Sequence, residues 1–188
     1  MKLLRIILYI GLFGLTTLAQ AQTIIPLERG KGGVRAKNID DYKDEMKMAE
    51  RQRNDSLQYV DHLRRAFNAL HTDSIGQAEL LFNKALKLRP TAPGNHVIKF
   101  NLGLIDIARG QNVEAVKKLT DIIKEYPNYF DARLARAEAN LQLNKANEAV
   151  EDAEQVLNKT DFEGVTPLLI ERARFIRAAA RYQLRFFN

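Results

Sequence analysis

The feature that most constrains this 188-residue chain is a helical pattern that returns at regular spacing. The stretch from Ala78 to Pro90, AELLFNKALKLRP, carries apolar residues three and four positions apart and ends in Leu-x-Pro. Ala115 opens a second copy, AVKKLTDIIKEYP, 37 residues later, and Ala149 opens a third, AVEDAEQVLNKTD, after another 34. A period of this length predicts stacked helical units rather than one closed core.

Each copy is preceded by a second small residue, 12 positions upstream of its alanine. These upstream residues are Ala66, Gly103 and Ala137. Turn-forming residues lie between the two small residues of each unit, among them Asp73, Gly110 and Asn144. Because small residues let two helices approach closely, the pattern predicts antiparallel helix hairpins in which Ala115 faces Gly103.

Helix, turn and helix within about 34 residues, with paired small residues and a closing proline, resembles the tetratricopeptide repeat family. The resemblance covers three units from about Gln58 to Asp161. It departs from the family in lacking tryptophan, and in carrying Ile122 and Val156 where the first unit has Ala85. The resemblance implies an all-α solenoid of stacked antiparallel helix pairs, with residues 39–188 as the helical repeat domain.

Two further helices are predicted outside the repeats. No glycine or proline interrupts Ile39 to Thr72, which favours one long helix; a break at Asn54-Asp55-Ser56 is the alternative. After Asp161, Thr166 and Pro167 provide an N-cap and a first-turn proline for a helix that runs to about Phe186. We expect this last helix to be a half-repeat that caps the C-terminal end of the stack.

The N-terminus has the pattern of an export signal. Lys2 and Arg5 precede an uncharged apolar run from Ile6 to Leu18, and Ala19-Gln20-Ala21 is a small-x-small cleavage pattern. Residues 1–21 are therefore predicted to be a signal peptide, with an uncleaved anchor as the alternative. We expect residues 22–38, rich in glycine and basic residues, to form a flexible basic arm. The protein would then be periplasmic or secreted, and soluble after cleavage.

The resemblance also implies a binding groove, because the first helices of such repeats line a concave face. Carried over by position, the predicted partner-binding groove is Leu63, Phe67, Leu70, Val97, Phe100, Leu104, Ile107, Leu134 and Glu138. The alternative is that the helices are rotated so that this apolar stripe packs inside, or that the long N-terminal helix fills it. The resemblance further implies an ion pair between Arg136 and Asp152 within the third unit.

A basic stripe is predicted on the last helix. Its members are Arg174, Arg177, Arg181 and Arg185, which are spaced three, four and four residues apart and so share one helix face. One interpretation is a docking surface for carboxylates or phosphates, because each guanidinium presents a fixed fork of donors. The other is a solvated face that keeps the cap soluble.

Motifs for catalysis are missing from the sequence. There is no cysteine, none of the three histidines has a ligand partner four residues away, and no nucleophile motif or phosphate-binding loop is present. We therefore expect a non-enzymatic scaffold without cofactor or metal. It would bind another protein or a peptide segment, not nucleic acid, as an accessory of a bacterial envelope assembly. The alternative is a binder of anionic polymer or of a membrane surface through the basic arm and the basic stripe, since the net charge is +6.

Overall fold

The computed structural model describes residues 39–186 and contains α-helices but no strand within that range. The predicted signal peptide and basic arm lie outside the described residues. In chain order the helices are α1 (Ile39–His71), α2 (Ile75–Leu88), α3 (Asn95–Ala108), α4 (Asn112–Glu125), α5 (Phe130–Gln142), α6 (Ala146–Leu157) and α7 (Pro167–Phe186). The predicted all-α fold class is confirmed.

The described residues form two compact units, which divide between Ala92 and Pro93, and each is described by itself. In the first unit α1 is one continuous helix, as the sequence favoured, and the alternative break at Asn54-Asp55-Ser56 does not occur. Its second half packs against α2 around the fully buried Ala66. The aromatic rings of Phe67 and Phe82 pack edge to face, with their centroids 5.3 Å apart.

The second unit contains two helix hairpins, α3–α4 and α5–α6, followed by the single helix α7. Each helix contacts the next, and α5 also contacts both α3 and α7, so the first helices of successive repeats lie side by side. The core of the last repeat is small-residue rich, with Ala137, Ala149 and Ala173 fully buried beside Leu134 and Ile176. Small side chains at these points allow the close helix approach that the sequence pattern predicted.

Every hairpin closes through the same left-handed turn. Asp73, Gly110 and Asn144 have φ of 58°, 74° and 59°, and they are spaced by the same 37 and 34 residues as the repeat alanines. In each turn the residue that follows the left-handed residue donates a backbone hydrogen bond of 2.8 Å. The acceptor is the carbonyl oxygen five residues before this donor. This is the Schellman arrangement, which satisfies a helix-end carbonyl that would otherwise lack a donor.

The nearest side chain to Gly103 is that of Leu119 rather than the predicted Ala115. A Cβ placed on Gly103 would lie 3.2 Å from both Cγ and Cδ2 of Leu119, one helical turn beyond Ala115. Ala115 itself is fully buried. In an antiparallel pair, residues at similar distances from the turn lie opposite each other. Leu119 is farther from the turn than Ala115, and it is the residue that lies against Gly103. The small residue at 103 therefore makes room for a leucine.

The predicted start of the last helix is confirmed. α7 begins at Pro167, and the hydroxyl of Thr166 accepts a hydrogen bond of 3.3 Å from the backbone N–H of Leu169. This is the N-cap contact expected of threonine, while proline fits the first turn because its missing N–H would have no partner there.

The left-handed turns lead to a first testable prediction. A Cβ at Gly110 would meet nothing within 4 Å, so Gly110→Ala changes backbone strain and not packing. We expect this change to lower the free energy of unfolding by about 1–2 kcal/mol in urea titrations, because a left-handed φ is unfavourable for alanine. Gly110→Asn is the matched control and should cost less, since asparagine occupies the equivalent turn at Asn144. Equal stability of the glycine and alanine proteins would contradict this account.

Candidate protein-binding surfaces

The nine residues of the predicted groove divide into two groups. Four are buried: Leu63, Phe100, Ile107 and Leu134. Five are half-buried: Phe67, Leu70, Val97, Leu104 and Glu138. Leu63, Phe67 and Leu70 belong to the first unit, and the other six belong to the second. The binding role of the half-buried residues stays a prediction, whereas the four buried residues serve packing in this structure.

Phe100 shows why an apolar stripe on α3 does not form an open surface. α3 contacts α4 and α5, so little of its circumference is left for solvent. The side chain of Phe100 is fully buried, and its ring lies 5.1 Å from the ring of Tyr129 at the start of α5. At this position the alternative holds, in which the apolar stripe packs into the core.

Glu138, the one charged residue of the predicted groove, is bound by Arg172 of α7. The Nε and Nη2 of Arg172 donate hydrogen bonds of 2.7 and 2.8 Å to its two carboxylate oxygens. Asp131 lies on the same face of α5; burial raises the pKa of its carboxyl, and the charge of Arg172 opposes that effect. Sequence reasoning missed Arg172, although it lies 34 residues, one repeat length, beyond Glu138. That spacing is the signal that could have paired them.

The predicted ion pair between Arg136 and Asp152 is confirmed. Nε and Nη2 of Arg136 donate hydrogen bonds of 2.7 and 2.6 Å to the two carboxylate oxygens, and its Nη1 donates to the hydroxyl of Thr120 at 3.0 Å. The hydrogen bonds to Asp152 raise the pKa of Arg136. Because Asp152 is almost wholly buried, this contact neutralises a carboxylate inside the fold while tying α4, α5 and α6 together.

The basic stripe is only partly available for binding. Arg174, Arg181 and Arg185 are exposed and Arg177 is half-buried. However, Nη2 of Arg181 donates a hydrogen bond of 2.9 Å to a carboxylate oxygen of Glu154 on α6. Sequence spacing indicates only which acids lie near the stripe within the same helix. Glu154 lies on a different helix, so its contact with Arg181 was not foreseen. The role of the stripe as an anion-binding surface stays a prediction.

A second surface of α7 was not foreseen from the sequence. Leu168, Phe175 and Tyr182, which we call the α7 apolar strip, are 64%, 73% and 59% exposed. They are seven residues apart, so they fall near one line along the helix, away from the core residues Leu169, Ala173 and Ile176. Aligned large apolar side chains in solvent are typical of interaction surfaces, whereas scattered ones are not. The signal was present in the sequence as a second apolar spacing beside the core spacing.

An aromatic cluster lies where α3 begins. The ring of His96 is 4.3 Å from that of Tyr126 and 5.6 Å from that of Tyr129. With Glu125, Pro127 and Asn128 these residues line an open cavity of about 430 Å³. Burial lowers the pKa of His96, the nearby Glu125 opposes this shift, and Lys99 reinforces it.

Residues 39–186 contain neither a candidate metal site nor a candidate membrane-spanning helix. No group of three or more histidine, aspartate or glutamate side chains in this range is arranged to hold a metal ion. None of the helices described is both long enough and apolar enough to cross a membrane.

Comparison with known proteins supports the fold. No protein-family model matches the chain, and no curated protein is significantly similar to it in sequence. The structure is similar to the crystal structure of a tetratricopeptide repeat protein from Parabacteroides merdae ATCC 43184, with a TM-score of 0.60 over 69% of this chain. The two share 19% sequence identity, and the match spans 48% of that protein's chain. The chain therefore has a tetratricopeptide-like helical fold, as its sequence predicted.

Phe100 is buried and Phe175 is exposed, so the same substitution at each position should affect stability differently. Phe100→Asp should unfold the protein, because it removes a fully buried ring worth about 3–5 kcal/mol and places a carboxylate in the core. Phe175→Asp on the exposed α7 apolar strip should leave the melting curve nearly unchanged. Circular dichroism during heating measures both variants. A folded Phe100→Asp protein would show that Phe100 lines an open groove after all.

The lowered pKa of His96 predicts that the stability of the protein depends on pH. Because burial lowers its pKa below the usual 6.5, the unfolded chain binds the proton more readily than the folded one. The contribution of neutral His96 is complete above pH 6.5 and declines as the pH falls below that value towards the lowered pKa. Urea unfolding between about pH 7.5 and 5.5 should therefore show a smaller loss of stability in His96→Gln than in the unmodified protein. Identical pH dependence in both proteins would contradict the assignment.

Proposed function

We propose that this protein is an exported, non-enzymatic scaffold that binds another protein as an accessory of a bacterial envelope assembly. The observation that carries the proposal is the α7 apolar strip, three large apolar side chains aligned on one exposed face of a tetratricopeptide-like fold. Stacked helical repeats present extended surfaces of this kind without needing a catalytic cavity.

The chemistry of the strip favours a protein partner. Phe175 and Tyr182 are residue types that dominate binding energy at protein interfaces, since they offer large apolar area at low conformational cost. Beside them the hydrogen-bonded pair of Arg172 and Glu138 supplies a polar margin between α5 and α7. An amphipathic helix or an extended segment with apolar residues at matching spacing would fit this surface.

Export is the second part of the proposal. Its support is the sequence of residues 1–21, with a positive start, an apolar core and Ala19-Gln20-Ala21 at the end. The envelope is then the compartment in which a partner would be met. Intact mass of the protein recovered from the envelope fraction tests this: a chain that begins at Gln22 supports export with cleavage, and a soluble chain that retains Met1 contradicts it.

A second candidate function is binding of an anionic polymer or an anionic membrane surface. The observation that favours it is the exposure of Arg174, Arg181 and Arg185 along one face of α7, close to the half-buried Arg177. Guanidinium groups suit phosphate and carboxylate ligands. Against it, Arg181 is already bound to Glu154.

One binding experiment separates the two functions. The protein is affinity-purified from its native envelope, with the partner identified by mass, at about 0.05 and 0.5 M salt. If a protein partner docks on the α7 apolar strip, Phe175→Asp abolishes recovery at both salt concentrations, while an Arg177, Arg181 and Arg185 to Gln variant retains it. If an anionic ligand is bound, the arginine variant and high salt abolish recovery and Phe175→Asp does not. Lys117→Ala, exposed on α4, is the control that should change neither result.

A further inference from the structure

The aromatic cluster at the start of α3 lines a cavity that the proposed function does not use. Its walls include the rings of His96, Tyr126 and Tyr129, and Glu125 contributes a carboxylate. The volume of about 430 Å³ is that of a small-ligand site, and such sites combine aromatic side chains with a few polar groups. The cavity therefore has the size and the lining of a binding site.

The three rings meet at angles rather than in one flat stack. The ring centroid of His96 lies 4.3 Å from that of Tyr126, with the planes tilted by 36°, and 5.6 Å from that of Tyr129, with the planes at 85°. Because ring faces carry partial negative charge, rings that point in different directions can contact a cation from more than one side. Tyr126 is 36% exposed, so a ligand can reach the cluster from solvent.

His96 is a neutral wall of this cavity at neutral pH. Burial lowers its pKa, and its Nδ1 is buried without a hydrogen-bond partner among the described residues. A protonated imidazole carries an N–H on both nitrogens, and the one at Nδ1 would then lack an acceptor. The ring therefore offers an aromatic face and no positive charge.

Carboxylates dominate the charges that act on the three rings. Burial has the largest effect on the pKa of each, lowering that of the imidazole and raising those of the two phenols. The next effect in every case comes from a carboxylate that raises the pKa. It is Glu125 for His96 and Tyr126, and Asp131 for Tyr129. A negative potential at all three rings favours a positively charged ligand.

The basic residues nearby do not cancel this potential. Lys99, one turn after His96, lowers its pKa less than Glu125 raises it. Glu125 is also the last residue of α4, where the helix dipole disfavours an acid and favours a cation. The lysine of that turn, Lys124, pairs with Asp121 at 3.9 Å. A ligand can therefore supply the counter-ion at the end of α4.

The hydrogen-bond acceptors of the cavity are largely in use. Oδ1 of Asn128 accepts a hydrogen bond of 3.0 Å from Nζ of Lys159, and the carbonyl oxygen of Pro127 accepts one of 3.1 Å from Nε of Arg133. A primary ammonium carries three N–H donors that need acceptors, whereas a quaternary ammonium carries none. Ring faces beside one carboxylate therefore suit a quaternary ammonium better.

We propose that this cavity binds a quaternary ammonium group, which lies against the rings of Tyr126 and Tyr129 with Glu125 as its counter-ion. Aromatic faces attract such a cation electrostatically, and the attraction is larger where both are withdrawn from water. A free quaternary amine and the choline headgroup of a lipid share this chemistry. None of the residues that line the cavity belongs to α7, so the proposal is independent of the partner proposed for the α7 apolar strip.

Titration of the full chain with choline, followed by nuclear magnetic resonance at about pH 7.5, tests the proposal. We expect choline to shift the resonances of Tyr126 and Tyr129. It should bind roughly fivefold or more tightly than its neutral isostere, in which carbon replaces the nitrogen, because the isostere keeps the shape and loses the charge. Equal binding of the two compounds, or no shift at these residues up to about 50 mM choline, would overturn the proposal.

Charge variants test the counter-ion. Glu125→Gln should weaken choline binding by roughly fivefold or more. Glu114→Gln, the same change at the other end of α4, is the matched control; both residues are exposed, so neither change should disturb the fold. Lys99→Gln should strengthen binding because it removes a like charge near His96, and Lys117→Gln is its control. If Glu125→Gln binds choline as tightly as the unmodified protein does, the proposal is wrong.

Two substitutions of one ring test the aromatic contact. Tyr126→Phe keeps the aromatic face and should retain choline binding, whereas Tyr126→Ala should lose most of it. Equal loss in both variants would mean that the hydroxyl binds and the face does not, which contradicts the proposal.

Vesicles of phosphatidylcholine distinguish the two sources of the cation. Co-sedimentation of the full chain with these vesicles that Glu125→Gln removes would assign the site to a lipid headgroup. Binding of choline without co-sedimentation would assign it to a free solute. Failure to bind either form, with the fold intact by circular dichroism, would overturn the proposal.

Discussion

The left-handed turn within each repeat is the constraint on which the rest of the structure depends. Asp73, Gly110 and Asn144 reverse the chain in the same way, and the backbone hydrogen bond after each one closes the end of the preceding helix. Because the turn is short, the two helices lie close together from their first turns onward, where small side chains avoid steric conflict. Ala78, Ala115 and Ala149 occupy that position, and each is fully buried.

This dependence explains which parts of the fold could be predicted from the sequence. The repeat period came from comparing the three repeats, and the uninterrupted α1 and the Thr166 N-cap came from local sequence. The Arg136–Asp152 pair was implied by the resemblance to the tetratricopeptide repeat family. The contact of Gly103 could not be placed in the same way, because small residues indicate that two helices approach but not which turn of one meets which turn of the other. The structure pairs Gly103 with Leu119, and a shift of one turn separates this from the expected partner.

The candidate binding residues were harder to place for a related reason. Whether Phe100 faces solvent depends on which face of α3 meets its neighbours, and the apolar spacing alone does not give that face. α3 and α7 each contact two helices, α3 with α4 and α5, and α7 with α5 and α6. Phe100 is nevertheless buried and Phe175 is exposed, although the two residues are equally apolar. The face of the helix on which a residue lies, rather than its residue type, decides which apolar residues are available to a partner.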